Sequence, residues 1–240
     1  MVTVYILDIC QLNQEALFRQ QYEKQPKERQ EKIMRIADRM EKNRSLGAGI
    51  VLERGLFAYG IDATQVQFRK NAHGKPTLKN RQEIHFNLSH SGNYVVGAFA
   101  DTPVGIDIEH RRENVEKLVR RCLNEQERQQ FFACADEEAQ RDWFLRCWTR
   151  KESAAKALGI GLQQDFTKIY CVENERIVVD REDKSCEYFL REFEIHPKAD
   201  IMESGTNVTA QGKDKYRIAV CAETPDFAPA PVWIKLDETV

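Results

Sequence analysis

The fold is decided by a short stretch near the middle of the chain, Val104-Gly105-Ile106-Asp107-Ile108-Glu109. We predict that it forms a β-strand. Side chains repeat every second residue along a strand, so Asp107 and Glu109 should project from one face about 7 Å apart. Two carboxylates that face the same way repel each other unless a cation lies between them. The simpler interpretation is a solvated acidic pair on an edge strand.

A second stretch follows about forty residues later, Trp148-Thr149-Arg150-Lys151-Glu152-Ser153-Ala154-Ala155-Lys156. Residues four apart in a helix are neighbours, so Trp148, Glu152 and Lys156 should line one face. Glu152 would then supply a third carboxylate beside an ammonium group. Three oxygen ligands and a fixed ammonium are typical of a magnesium site with a phosphate attached. Taken alone, the Glu/Lys pair could also be an ordinary helix-surface salt bridge.

Further motifs accompany these stretches in a fixed order: Gly74-Lys75-Pro76, Phe86-Asn87-Leu88-Ser89-His90-Ser91 and Gly159-Ile160-Gly161-Leu162. In this order and at this spacing, the chain resembles the 4'-phosphopantetheinyl transferases over residues 1 to 225. Its length fits the larger, surfactin-synthetase-activating (Sfp-like) class. Such enzymes move the phosphopantetheine arm of coenzyme A onto a serine of an acyl or peptidyl carrier protein and release adenosine 3',5'-bisphosphate.

The resemblance implies a role for each motif. Asp107, Glu109 and Glu152 would hold Mg²⁺, and Lys156 would contact the phosphates of coenzyme A, which makes Glu152 and Lys156 the candidate catalytic residues. The base that takes the serine proton would be Glu152 or a metal-bound water, and both remain open. The resemblance also implies two groups of coenzyme A contacts. These are Arg29, Lys32, Arg44, Ser45 and His90 for the 3'-phosphate, and Gly74, Lys75, Pro76 and Ser89 for the adenine.

The basic residues near the start of the chain also have a simpler interpretation. Ile33, Ile36 and Met40 predict an amphipathic helix over Pro26 to Lys42, whose charged face could be merely solvated. A lone histidine such as His90 is more often a structural hydrogen-bonding residue than a ligand contact. The resemblance to the transferase family is what favours a binding role.

Composition sets limits on the class of protein. The 240 residues can hold one large or two small domains, and 42% hydrophobic with 31% charged residues is ordinary for a soluble protein. A net charge of -2 gives no global electrostatic case for nucleic acid binding. The seven cysteines are odd in number and contain no Cys-x-x-Cys pair, which argues against a disulfide framework or a zinc site. The apolar run before Asp8 is too short for a signal peptide or a membrane span. We therefore expect a cytoplasmic monomer without a nucleic acid or membrane partner.

The predicted fold class is α+β, with two pseudo-symmetric lobes that each contain a small antiparallel sheet packed with helices. We predict an N-terminal lobe over residues 1–103, a C-terminal lobe with the metal site over 104–225, and a loosely attached tail over 226–240. Residues 202–215 are expected to form a long polar loop. The segments His85 to Ser89, Tyr94 to Ala100 and Val104 to Glu109 are predicted to pair as a meander.

Helix signals and apolar runs predict the remaining elements of the C-terminal lobe. Asn124, with Glu127 three residues on, predicts a helix start. The stretch from Asp136 to Leu158 predicts one long helix that Gly159 closes. Four strands are expected after it: Ile169 to Glu173, Arg176 to Asp180, Glu187 to Ile195 and Tyr216 to Ala222.

The segment after the metal strand is a candidate docking surface. Carrier proteins of this kind are acidic helical bundles, which a basic helix face would attract. Such a face is also what an ordinary soluble helix exposes, and nearby glutamates dilute its charge. The apolar stripe consists of Val115, Leu118, Val119, Cys122 and Leu123, and the basic residues are Arg111, Arg112, Lys117, Arg120, Arg121 and Arg128.

Two other functions fit parts of the sequence. A magnesium-dependent phosphohydrolase or nuclease would use the carboxylates and the lysine, but it gives no role to His90 or to Gly74-Lys75-Pro76. A non-catalytic module that binds coenzyme A as a scaffold is the other. The intact set of Asp107, Glu109, Glu152 and Lys156 weighs against it.

Overall fold

The computed structural model of this protein describes residues 1–110, 115–159, 165–172, 175–180, 185–197 and 215–236. The predicted docking residues Arg111 and Arg112, the motif residues Ile160-Gly161-Leu162 and nearly all of the predicted polar loop lie outside these ranges. Among the described residues, no helix is both long and apolar enough to cross a membrane.

The first sheet has the strand order β11-β1-β5-β4. Strand β5 is central and buried along its whole length, as expected for an apolar run covered on both faces. It pairs antiparallel with β1 and with β4, and strands β2 and β3 form a separate hairpin. The elements of this part are β1 (Thr3–Asp8), α1 (Glu15–Glu23), α2 (Lys27–Met34), α3 (Arg39–Phe57), β2 (Phe68–Lys70), β3 (Pro76–Leu78), β4 (His85–Ser91), β5 (Tyr94–Ala100) and β11 (Val232–Trp233), with short 3-10 helices at Cys10–Asn13 and Ala63–Gln65.

The second sheet has the strand order β6-β10-β9-β8-β7 and is antiparallel throughout. The long helix α6 begins after its N-cap Asp136 and ends at Gly159, whose φ of 68° is left-handed, so both predicted ends are confirmed. Asn124 and Glu127 form the predicted capping box of α5. The elements are β6 (Val104–His110), α4 (Glu116–Cys122), α5 (Glu125–Phe132), α6 (Glu137–Leu158), a 3-10 helix (Phe166–Lys168), β7 (Ile169–Val172), β8 (Arg176–Asp180), β9 (Ser185–Ile195) and β10 (Tyr216–Ala222).

The two sheets pack face to face, with helices on their outer faces. Val96 of the first sheet and Ile106 and Ile218 of the second belong to the apolar core between the sheets. Leu46 and Val51 of α3 cover the outer face of the first sheet, and alanines of α6 cover that of the second. This arrangement confirms the predicted α+β fold of two similar lobes.

The predicted meander is wrong in its last strand. Strands β4 and β5 pair as expected, but β6 pairs with β10 of the second sheet instead of with β5. The reason is the apolar face of β6, since Ile106 and Ile108 are buried in the core between the sheets. Strand β6 therefore lies at the edge of the second sheet, with its carboxylate face toward α6.

The prediction of a single helix over Pro26 to Lys42 is also wrong. Helix α2 ends at Met34, and α3 begins after Asp38, whose carboxylate accepts the backbone N–H of Glu41 at 2.8 Å. Such an N-cap satisfies a donor that a new helix leaves unpaired. The basic residues of this region are consequently divided between two helices.

The prediction of a loosely attached tail is wrong for residues 226–236. Strand β11 pairs in parallel with β1, and the Ile234 N–H donates to the carbonyl of Ile6 at 2.8 Å. Leu236 is buried in the core of the first lobe, and its carbonyl accepts from Gln21 at 3.1 Å. The chain therefore returns to its first lobe, where β11 covers an edge of β1 that would otherwise be open.

Candidate functional site

A glycine sets the distance between β6 and α6. A Cβ atom on Gly105 would lie 2.1 Å from the carbonyl oxygen of Ser153 and 2.3 Å from the backbone N of Ala157. Both are backbone atoms of α6, so no side-chain movement could make room. Gly105 therefore lets β6 lie directly against α6, and this contact brings the motif side chains of the two elements together.

Asp107 and Lys156 meet across this contact. Lys156 Nζ lies 2.6 Å from Asp107 Oδ1 and 3.0 Å from the hydroxyl of Ser89, which donates to the same Asp107 oxygen at 2.9 Å. Asp107 is 4% exposed. Its other oxygen, Oδ2, is buried and has no hydrogen-bond partner among the described residues. A buried carboxylate oxygen without a partner is costly, which suits a site that receives a cation.

The other two predicted carboxylates lie on the same two elements as this pair. Glu109 accepts a hydrogen bond from the indole Nε1 of Trp148 at 3.2 Å. Trp148 stacks on Phe166 in the core of the second lobe. Glu152 is 7% exposed and lies one helical turn from both Trp148 and Lys156, which contact β6. The three carboxylates therefore belong to facing elements, as the sequence predicts.

The described residues contain no cluster of three acidic, histidine or cysteine side chains that could hold a metal ion. The donor chemistry nevertheless suits Mg²⁺, which prefers carboxylate oxygens and retains water. The unpartnered oxygen of Asp107 is the structural feature that fits a cation. The magnesium assignment of Asp107, Glu109 and Glu152 thus stays a prediction with support from one of the three residues.

The predicted 3'-phosphate residues come close together at the start of α3. The guanidinium of Arg29 donates to the carbonyl of Ser45 at 3.5 Å, and burial lowers the pKa of Arg29. The neighbouring Arg44 donates to the carbonyl of Gly92 at 3.1 Å. Lys32 is exposed on α2, one turn beyond Arg29.

His90 connects this basic cluster to the carboxylate site. Partial burial of its ring lowers the pKa of His90, and the positive charges of Arg44 and Lys156 lower it further. The residue remains open to solvent. Most of the predicted anion-binding residues are therefore adjacent, and their summed positive charge suits a phosphate.

Lys75 has different partners from those that its predicted adenine contact requires. Its ammonium donates to the carbonyls of Val104 at 3.0 Å, Lys156 at 2.5 Å and Ala157 at 3.3 Å. Burial lowers the pKa of Lys75 to about 8. The amide of Asn71 donates to the carbonyl of Gly159 at 2.8 Å. These two side chains hold the end of α6, so any adenine contact of this segment would come from its backbone or from the neighbouring residues.

Gly74, Pro76 and Ser89 were predicted to surround the adenine together with Lys75. Gly74 adopts a left-handed φ of 86° in an exposed turn, and Pro76 is exposed at the start of β3. The hydroxyl of Ser89 points instead to Asp107. Asn71 and Asn87 are supporting residues that the sequence did not predict; the signal that could have found them is their position inside or close to the quoted motifs.

Most of the chain is similar in sequence to known proteins. Residues 103–221 match the family model of the 4'-phosphopantetheinyl transferase superfamily, and residues 13–102 match the N-terminal model of 4'-phosphopantetheinyl transferases. The 4'-phosphopantetheinyl transferase Sfp of Bacillus subtilis (strain 168) is 28% identical over 215 residues, which cover 88% of each chain. The 4'-phosphopantetheinyl transferase gsp of Aneurinibacillus migulanus is 33% identical over 150 residues, which cover 62% of each chain.

A solved structure, the holo-(acyl-carrier-protein) synthase of Thermotoga maritima, is similar with a TM-score of 0.31 and 20% identity, and the match covers 51% of this chain and 64% of that one. The two family models adjoin each other and together extend from residue 13 to residue 221. This chain belongs to the 4'-phosphopantetheinyl transferase superfamily, in its Sfp-like class.

Proposed function

We propose that this transferase moves the 4'-phosphopantetheine arm of coenzyme A to a serine of an acyl or peptidyl carrier protein, with Mg²⁺ as cofactor, and releases adenosine 3',5'-bisphosphate. The observation that carries the proposal is the ion pair between the buried Asp107 and the partly exposed Lys156. It combines an ammonium for phosphate contact with a carboxylate oxygen that lacks a partner among the described residues.

The reaction requires alignment and charge neutralisation. The serine hydroxyl attacks the β-phosphorus of the diphosphate, and the bisphosphate leaves, so a catalyst chiefly has to orient the groups and offset oxygen charge. Mg²⁺ held by Asp107, Glu109 and Glu152 would supply Lewis acidity toward the diphosphate oxygens. Lys156 would contact the same phosphates, and Asp107 with Ser89 holds its ammonium in place. Glu152 is a candidate base for the serine proton.

The basic cluster gives the substrate its orientation. Arg29, Arg44 and His90 lie on α2, α3 and β4 of the first lobe, respectively. They would bind the 3'-phosphate of coenzyme A through charge-assisted hydrogen bonds, with Lys32 beside them. Lys156 lies close enough to His90 for its charge to lower the pKa of that histidine. A 3'-phosphate and a diphosphate could therefore be held in adjacent places.

The carrier protein would dock on α4. In its apolar stripe Val119 and Cys122 are buried and Leu118 is partly buried, whereas Lys117, Arg120 and Arg121 are exposed. Arg128 instead makes a partly buried hydrogen bond within the protein, donating to the carbonyl of Leu123 at 2.8 Å. We therefore restrict the proposed acidic-partner contact to the exposed residues of α4. Reversing Arg120 and Arg121 to Glu should raise the KM for carrier protein and flatten its salt dependence.

The proposed setting is the cytoplasm, with the protein acting as a monomer. All seven cysteines are free thiols, which suits a reducing compartment. Coenzyme A and an acidic carrier protein would be the partners, without nucleic acid or a membrane.

The test is transfer to carrier protein, followed by mass spectrometry. Incubation with coenzyme A, Mg²⁺ and candidate carrier proteins should add the mass of one phosphopantetheine arm to a serine. Asp107→Asn and Glu152→Gln should abolish the transfer and stay folded, whereas Glu187→Gln, which changes an exposed carboxylate on β9, should behave as the wild type. Release of the bisphosphate without carrier protein would indicate a phosphohydrolase instead, and coenzyme A binding without turnover would indicate a scaffold.

A further inference from the structure

Strand β4 contacts β6 through a row of polar side chains. The amide oxygen of Asn87 accepts the backbone N–H of Ile106 at 2.9 Å. Two residues on, the hydroxyl of Ser89 donates to Asp107 Oδ1 at 2.9 Å. Two residues further, Ser91 Oγ lies 3.0 Å from Nδ1 of His110. Alternate residues of a strand share a face, so this face of β4 follows β6 along its length.

This row of contacts replaces a backbone ladder. Strand β4 ends the first sheet and β6 ends the second, and β6 has its backbone pairing with β10 on its other side. The outward N–H groups of an edge strand need partners when they are covered. Asn87 provides one for Ile106. The register of β6 against the first lobe is thereby set by side chains, at the residue that precedes Asp107.

We infer that Asn87 is a positioning residue for the transfer reaction. It fixes the backbone of β6 at Ile106 and so places the Asp107 carboxylate against Ser89 and Lys156. The strand that carries Asn87 also carries His90 of the basic cluster. Asn87 thus links the placement of the candidate metal ligand to the placement of the phosphate-binding residues. The inference rests on the proposed function of Asp107.

The chain offers closely matched variants to test this role. Asn87→Leu keeps the size of the side chain and removes the acceptor, whereas Asn87→Asp keeps an oxygen that accepts the Ile106 N–H. Asn80→Leu makes the same change at an exposed asparagine outside β4 and serves as the control. Hydrogen exchange at the Ile106 amide reports the hydrogen bond directly, without any need for activity.

The expected result is a loss of amide protection at Ile106 in Asn87→Leu, with protection kept in Asn87→Asp and in Asn80→Leu. In the transfer assay, Asn87→Leu should raise the apparent Mg²⁺ constant, the Mg²⁺ concentration that gives half-maximal transfer, roughly tenfold. This is the size expected when a covered donor loses its acceptor. In Asn87→Asp the constant should return most of the way to the wild-type value. A variant that merely reduced the folded fraction would lower kcat and leave the Mg²⁺ constant unchanged.

Three outcomes would overturn the inference. The first is wild-type protection of the Ile106 amide in Asn87→Leu, and the second is lost protection with an unchanged Mg²⁺ constant. The third is an Asn87→Asp variant as impaired as Asn87→Leu. Wild-type protein that shows no Mg²⁺-dependent transfer would instead refute the proposed function, and the exchange experiment would still decide whether Asn87 holds β6.

Discussion

Replacing Glu127 by glutamine should destabilise the protein by about 3–5 kcal/mol, because a buried lysine would lose its counterion. Lys151 Nζ lies 2.6 Å from Glu127 Oε2, and the two side chains are 0% and 5% exposed. The ammonium also donates to the carbonyls of Cys122 at 3.0 Å and Phe166 at 2.8 Å. Glutamine keeps the size of the side chain and can still accept the Asn124 N–H of the capping box. The substitution removes the negative charge and also the second oxygen, which accepts the Cys171 N–H at 3.4 Å.

The assay is equilibrium and thermal unfolding of matched variants. A loss of about 3–5 kcal/mol should lower the Tm by roughly 6–20 °C for a chain of this size. Adding Lys151→Met removes the second charge, so the double variant should recover part of the loss in Glu127→Gln. The control is Glu23→Gln, which breaks an exposed pair with Arg19 that has an N···O distance of 2.9 Å. This control should change the free energy of unfolding by less than about 1 kcal/mol.

Two results would refute this reasoning about the pair. One is a Glu127→Gln variant that unfolds within about 1 kcal/mol of the wild type, since the buried charge would then not need its partner. The other is a double variant that is less stable than Glu127→Gln. In that case the contacts of the Lys151 ammonium with the two carbonyls, and not the charge imbalance, would be what holds α4 and the 3-10 helix against α6.

Gly105→Ala should lower the free energy of unfolding by about 1–3 kcal/mol or more and abolish transfer, because its Cβ would meet the backbone of α6; thermal unfolding and the transfer assay measure both effects. The folded pKa of Lys75 is lowered by burial to about 8 from 10.5, so stability should rise with pH across this window, and urea unfolding of Lys75→Met should lack the rise. Burial tends to raise the pKa of Glu192, but hydrogen bonds from two arginines outweigh burial and lower the pKa from 4.5 to about 2. Its stabilisation should therefore be present above pH 4.5 and be lost as the pH falls toward 2, a loss that Glu192→Gln should not show in acid titration. Alanine at Arg29 and Lys32 should raise the KM for coenzyme A more than that for 3'-dephospho-coenzyme A, because only the former carries the phosphate that these residues would bind.

Local signals predicted the elements that carry the site. The alternation around Asp107 predicted β6, and the caps at Asp136 and Gly159 predicted both ends of α6. The four-residue spacing from Trp148 to Lys156 predicted the shared helix face, whose side chains do contact β6. Each of these signals depends only on residues that are close together in the chain, so it can be recognised without knowledge of the fold.

Contacts between distant parts of the chain were not predictable in the same way. The edge of β6 pairs with a strand more than a hundred residues away, and β11 pairs with β1 at the other end of the chain. A strand's own residues show which face is apolar but do not name its partner. For the same reason, the partners of Lys75 and Ser89 could not be read from motifs, because both side chains reach across to the other lobe.

These cross-lobe contacts explain why the site needs both halves of the chain. All the candidate metal ligands lie in the second lobe, on β6 and α6. The side chains that hold those two elements in place, however, come from the first lobe: Asn87 and Ser89 contact β6, while Lys75 contacts the start of β6 and the end of α6. If these contacts were lost, an edge strand would have unpaired donors next to the carboxylate that has to remain in place. The first lobe therefore does more than carry the residues proposed to bind one end of coenzyme A, since its side chains also contact the two elements on which Asp107 and Lys156 meet.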